Sequence, residues 1–117
     1  MTLPPAVIAQ VHAAGYVLVK AEDQAIVGNL TIDGARREMR AGPRVVSLSR
    51  HEACLALAIA RGAFAAKDLY RAIYGRGDRP DTLAILIHRL RAKLKHLGAN
   101  VAISTLHGVG YRMETTQ

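Results

Sequence analysis

Within the stretch Thr82 to Leu97, TLAILIHRLRAKLKHL, the side chains His88, Arg89, Arg91, Lys93, Lys95 and His96 crowd together, and Asp81 is the nearest carboxylate. The chemistry this pattern can do is binding of a polyanion. Placed at about 100° per residue, Leu83, Ile87, Leu90, Leu94 and Leu97 fall on one arc with Leu86 at its edge, so the stretch predicts an amphipathic helix. Its basic side repels itself unless something anionic lies against it. Between the cations stand Ala84, Ile85 and Ala92, where a merely solvated helix would carry Glu or Lys. Cations around an apolar strip suit a DNA major groove, whose rim is phosphate and whose floor includes thymine methyl groups.

Other chemistries find no residues to carry them. The five histidines, His12, His51, His88, His96 and His107, follow no metal-ligand spacing, and the single cysteine, Cys54, cannot complete a thiolate cluster or an internal disulfide. There is no nucleophile motif, phosphate loop or pair of carboxylates. The turn His107 to Gly110 (HGVG) lacks the dinucleotide pattern and precedes a strand instead of a helix. The expectation is a protein that is not an enzyme and holds no cofactor and no metal.

A chain of 117 residues is one domain's worth, half of it hydrophobic. Formal charge is +7 and the pI is about 10.2, which points to nucleic acid ahead of an acidic membrane surface. Residues 61–117 hold ten Lys or Arg against four acids, and residues 1–60 hold six against five. The polyanion-facing surface is therefore expected in the second half. No run of 18 apolar residues and no signal-peptide start is present, so the chain reads as cytoplasmic and nucleoid-associated, with no membrane partner.

The elements that must position the basic helix follow from the rest of the chain. Residues 1–15 suggest a short helix ending at Gly15, and Tyr16 to Lys20 a strand. A second extended segment runs from Ala25 to Ile32, broken at Gly28 and Asn29; Asp33-Gly34 signals a hairpin; Arg36 to Arg40 and Arg44 to Leu48 complete an antiparallel meander of four strands. At Ser49 the period changes from two to 3.6, and Ser49 with Glu52 forms a capping box that starts a helix ending near Gly62. A second helix covers Ala66 to Tyr74 and stops at Gly75; the turn-rich Arg76 to Pro80 leads into the basic helix. Val101 to Thr105 and Tyr111 to Met113 then make a hairpin.

In that order and spacing, the segment from Leu30 to Met113 resembles the winged-helix DNA-binding domain of OmpR/PhoB-type response regulators. The resemblance is carried by LSRHE (Leu48 to Glu52), IYG (Ile73 to Gly75), HRLRAKL (His88 to Leu94) and ISTLHGVGYRM (Ile103 to Met113). It implies an α+β winged helix-turn-helix: an N-terminal antiparallel sheet, three helices and a C-terminal β-hairpin wing. Residues 30–117 would be that domain, and residues 1–29 an extension too short for a receiver, packing on the domain or pairing two copies. In the family the third helix enters the major groove and the wing reaches the minor groove or backbone. Carried over by position, Thr82, His88, Arg89 and Arg91 would face DNA from the helix, and Thr105 and His107 from the wing; Ile85, Ala92, Lys93, Lys95 and Arg112 complete the candidate DNA-binding set. Arg89 is the candidate for a base contact, since a guanidinium pairs bidentately with guanine; Arg91, Lys93 and Lys95 are candidate phosphate clamps. Lys95 and His96 also suit the negative end of the helix dipole, and that reading stays open beside the first. If about five cations neutralise phosphates, log affinity should fall against log salt with a slope of about −4 to −5.

The resemblance implies a sequence-selective transcriptional regulator acting on double-stranded DNA, with RNA polymerase and a second copy of the chain as further candidate partners. The alternative is a winged-helix adaptor or anti-repressor, in which Ile85 would anchor a protein partner.

Overall fold

Four short strands open the computed structural model, which describes residues 23–62, 64–75 and 79–116. They are β1 (Gln24–Val27), β2 (Leu30–Asp33), β3 (Glu38–Ala41) and β4 (Arg44–Ser47), paired antiparallel in chain order. The expected strand Tyr16 to Lys20, the short helix before it and the connector at 76–78 lie outside the described residues. The meander still has four strands, because the segment expected from Ala25 to Ile32 is two strands. Gly28 and Asn29 are a two-residue hairpin loop, with Gly28 at φ +56° as the primed turns require. β1 thus joins the sheet through residues that the sequence places in the extension.

The second hairpin differs from its expectation. Four residues, Gly34 to Arg37, separate the paired Asp33 and Glu38, so β3 starts two residues later than Arg36. The Asp33 carboxylate accepts the Arg36 amide at 3.1 Å, and Arg37 takes φ +51°, a left-handed conformation that ends pairing there.

Alternation decides which face of the sheet is buried. Leu30, Ile32, Met39 and Ala41 point into the core, while Ile26, Arg40 and Val45 face out. Against the inner face lies α1 (Arg50–Ala60), which has seven buried residues, four of them Ala or Leu at its centre, Leu55 to Ala58. Its start is the expected capping box: Ser49 Oγ accepts the Glu52 amide at 3.1 Å, and Glu52 Oε1 accepts the Ser49 amide at 2.7 Å. α2 (Ala66–Tyr74) has no side-chain cap and ends on Gly75 in the left-handed conformation. α3 (Pro80–Leu97) begins two residues earlier than Thr82, since proline is favoured in the first turn of a helix, and ends on Gly98. The wing is β5 (Val101–Leu106) with β6 (Gly110–Thr115), each strand longer than its sequence signal.

Two contacts between distant residues close the domain. Asn29 N–H donates to Asn100 Oδ1 and Asn100 N–H donates to Asn29 Oδ1, both at 2.9 Å, which ties the first hairpin to the root of the wing. Ala65 forms an antiparallel bridge with Gly110: Ala66 N–H donates to Val109 O and Tyr111 N–H to Phe64 O, each at 2.9 Å. The connection between α1 and α2 therefore serves as a third strand of the wing. Asn100→Ala removes one of these two hydrogen bonds, the one its Oδ1 accepts from the Asn29 amide, while its own backbone N–H can still donate to Asn29; it is expected to cost about 1 kcal/mol in urea unfolding, and a loss below about 0.3 kcal/mol would mean that the Asn29 turn docks by other means.

Candidate nucleic-acid interface

Six side chains of α3 lie in the core, namely Leu83, Leu86, Ile87, Leu90, Leu94 and Leu97, each no more than 5% exposed. Leu86, at the edge of the predicted arc, belongs with them and is not part of the outer surface. The opposite side of the helix carries Ala84, Ile85, His88, Arg89, Ala92, Lys95 and His96, all exposed. Among the described residues the side chains of His88, Arg89, Lys95 and His96 make no hydrogen bond or ion pair. Thr82 is half-buried on the flank.

Two of the predicted clamps have charges that are engaged within the protein, Lys93 half-buried and Arg91 exposed. Lys93 Nζ donates to Glu52 Oε1 at 2.6 Å and to Ser47 O at 2.8 Å, so its charge answers a carboxylate whose side chain is only 4% exposed. Burial pushes the Glu52 carboxyl up, but the Lys93 ammonium and the Ser49 amide overcome it and hold the group below its ordinary value. The helical angles carried a signal for this. Lys93 lies about 20° from Leu86 round the helix, just beyond the edge of the buried arc.

Arg91 is the second. Its Nε and Nη2 donate to Ile103 O at 3.0 and 2.8 Å, Nη2 also donates to Thr105 Oγ1 at 2.9 Å, and the guanidinium stands 5.9 Å from the centre of the Tyr111 ring. Arg91 therefore braces the wing against α3, and Thr105 is its acceptor. Nothing local in the sequence announces this, because the partners are 12 to 20 positions away. Ile103 and Tyr111 are the residues of the interface that sequence reasoning missed.

At the wing tip His107 and Val109 are exposed beside Gly108. Arg112 is exposed on β6, 3.8 Å from Glu114, which in turn accepts a hydrogen bond from Ser104. The α3 terminus is finished by Arg44, which donates to His96 O at 3.0 Å, and by the Gly98 amide on the Leu94 and Lys95 carbonyls. His51 is exposed, as its place in the first turn of α1 suggests, and meets Tyr74 edge-on at 4.7 Å. Cys54 is half-buried and donates to Ala72 O, and burial pushes its thiol up, away from the reactive thiolate. Among the described residues no group of three His, Cys, Asp or Glu could hold a metal ion, and no helix is long and apolar enough to cross a membrane.

The surface so built is a helix with free cations on its outer side and a hairpin fixed beside it. A family model described as transcriptional regulatory protein, C terminal, matches residues 44–113. The chain is 27% identical over 101 residues to the heme response regulator HssR of Staphylococcus aureus strain JH9; the match covers 82% of this chain and 45% of that protein. The chain thus spans about half the length of the curated relatives it matches. Among solved structures, it resembles the DNA-binding domain of Klebsiella pneumoniae RstA in complex with RstA box, with 25% identity and a TM-score of 0.63 over 79% of this chain and 97% of that one. It also shares the fold of the DNA-binding domain of CpxR from E. coli, with 23% identity and a TM-score of 0.65 over 81% of this chain and 99% of that one.

Proposed function

The chain belongs to the family of transcriptional regulatory protein C-terminal domains, the DNA-binding winged helices of OmpR/PhoB type, and from that premise we propose that it reads duplex DNA with sequence selectivity. In this reading α3 lies in the major groove and the wing meets the adjacent minor groove or backbone. The observation that carries it is the outer side of α3, where Arg89, Lys95, His88 and His96 stand exposed next to a wing that Arg91 holds in place. The RstA domain, in complex with its RstA box, lends the reading its duplex partner. No finding favours the adaptor alternative.

In this reading Arg89 is the base reader, Lys95 and Arg112 are phosphate contacts, and Arg91 and Lys93 hold the parts that do the contacting. Fewer free cations mean a shallower salt dependence. With Lys95 and Arg112 as the neutralising groups, the slope of log affinity against log salt is expected near −2 instead of −4 to −5. Fluorescence anisotropy on duplexes selected from a random pool measures it, and an absence of duplex binding at low salt overturns the proposal. In the same titrations Arg89→Ala should reduce the preference for the selected duplex over a scrambled one, whereas Lys95→Ala should weaken both alike. Equal effects of the two variants on that preference would remove the division of roles.

A further inference from the structure

The midline of the outer side of α3 is not where its cations are. Opposite the core arc stand Asp81, Ile85, His88 and Ala92, and the permanent cations Arg89 and Lys95 flank them. With Lys93 drawn to Glu52 and Arg91 to the wing, the largest uncharged group facing outward is Ile85, whose relative exposure of 54% is unusual for an isoleucine in the middle of a helix. Ala84 and Ala92 on the same exposed surface are short enough to let the helix backbone come close to whatever it docks on.

Resting on the DNA-binding reading above, we infer that Ile85 is a specificity-determining residue that reads the C5-methyl group of a pyrimidine in the major groove, and that Ala92 lets the helix seat deeply enough for it to do so. The major groove offers one kind of apolar group, the methyl on C5 of thymine, and cytosine carries the same group only when methylated. An exposed isoleucine gains by leaving water only against such a surface, since every other edge in the groove presents donors and acceptors that it would leave unpaired. The occupant is fixed by charge: cations on both flanks of the strip match phosphates on both rims of the groove, and a protein surface of low charge would not match them.

The neighbouring residue sets the context of the methyl. Arg89 is four positions on from Ile85, one helical turn along the same side, a rise of about 6 Å. Base pairs stack at about 3.4 Å, so the methyl read by Ile85 lies one to two base pairs from the guanine read by Arg89. The preferred site therefore holds a T·A pair at that distance from a G·C pair.

The test uses the duplex that the full chain enriches from a random pool. Each thymine is replaced singly by deoxyuridine, which deletes the methyl and nothing else. One position near the guanine should lose about fourfold in affinity, the worth of one buried methyl group. Ile85→Ala should abolish that penalty at that position and leave penalties elsewhere in place. The uracil-to-thymine ratio is internal to each protein, so a variant that folded poorly would lower both affinities and leave the ratio unchanged. Cytosine in place of the thymine should lose affinity, and 5-methylcytosine should regain part of it. An enriched site indifferent to uracil at every position overturns the inference while leaving the DNA-binding reading standing; so does a penalty that survives in Ile85→Ala. A chain that enriches no sequence overturns both.

Discussion

Gly110→Ala should lower the stability of the domain by about 3 kcal/mol and release the wing from the α1–α2 connection. A Cβ at Gly110 would fall on the Phe64 carbonyl oxygen, and it would stand 2.7 Å from the Ala66 amide nitrogen and 2.8 Å from the Phe64 carbonyl carbon. All three are backbone, so no rotamer change relieves the clash. The strand must move, and the hydrogen bonds of Ala66 and Tyr111 are strained or lost with it. Overpacking costs about 1–3 kcal/mol and each forfeited hydrogen bond about 1 kcal/mol. Urea unfolding reads the loss, and amide exchange at Tyr111 reads its location. Faster exchange at Tyr111 with an unchanged midpoint would show that the bridge is local and adds nothing to global stability.

The second large effect belongs to the ion pair between α1 and α3. Lys93→Met leaves the Glu52 carboxylate buried without its cation, a change that costs about 3 kcal/mol in comparable pairs. Its pH signature separates it from an ordinary packing defect. In the parent protein the Glu52 carboxyl is held below its ordinary value, so its contribution is fully present above the unfolded value of 4.5 and fades as pH falls through the lower folded value. Without Lys93, its hydrogen bond and its charge no longer oppose burial, and the folded value moves up from where the parent holds it while the Ser49 hydrogen bonds remain. The difference in stability between parent and variant should therefore shrink toward acid, measured by denaturant titration between about pH 3 and pH 7. A difference independent of pH would mean that Lys93 contributes by its methylenes alone.

How much of this could be read from the sequence varies with the range of the interaction. The capping box at Ser49, the stop at Gly75 and the core arc of α3 are local patterns, and the structure has them where the periodicity puts them. The sheet was legible as a meander but not strand by strand. Gly28-Asn29 looks the same in sequence whether it bulges one strand or joins two, and the choice is made by pairing with β2 and by Asn100, 71 positions from Asn29. The interface divides in the same way. Charge and periodicity separate the exposed side of α3 from its buried one, yet they count the charges of Arg91 and Lys93 as free. A formal charge carries no record of the carbonyl or carboxylate that folding will bring against it.

Arg91 ties α3 and the wing into one braced unit. Three hydrogen bonds from one guanidinium fix the wing at two residues of the same strand, with the Tyr111 ring alongside. The consequence is one of entropy and phase. A hairpin that had to find its place on docking would forfeit freedom in doing so, whereas this one has surrendered it during folding. The same rigidity sets a ruler: whatever the helix and the wing touch, they touch at a constant separation. An insertion of one base pair between two such contacts shifts one of them by about 3.4 Å along the duplex axis and turns it about that axis, and a braced wing has no slack with which to follow.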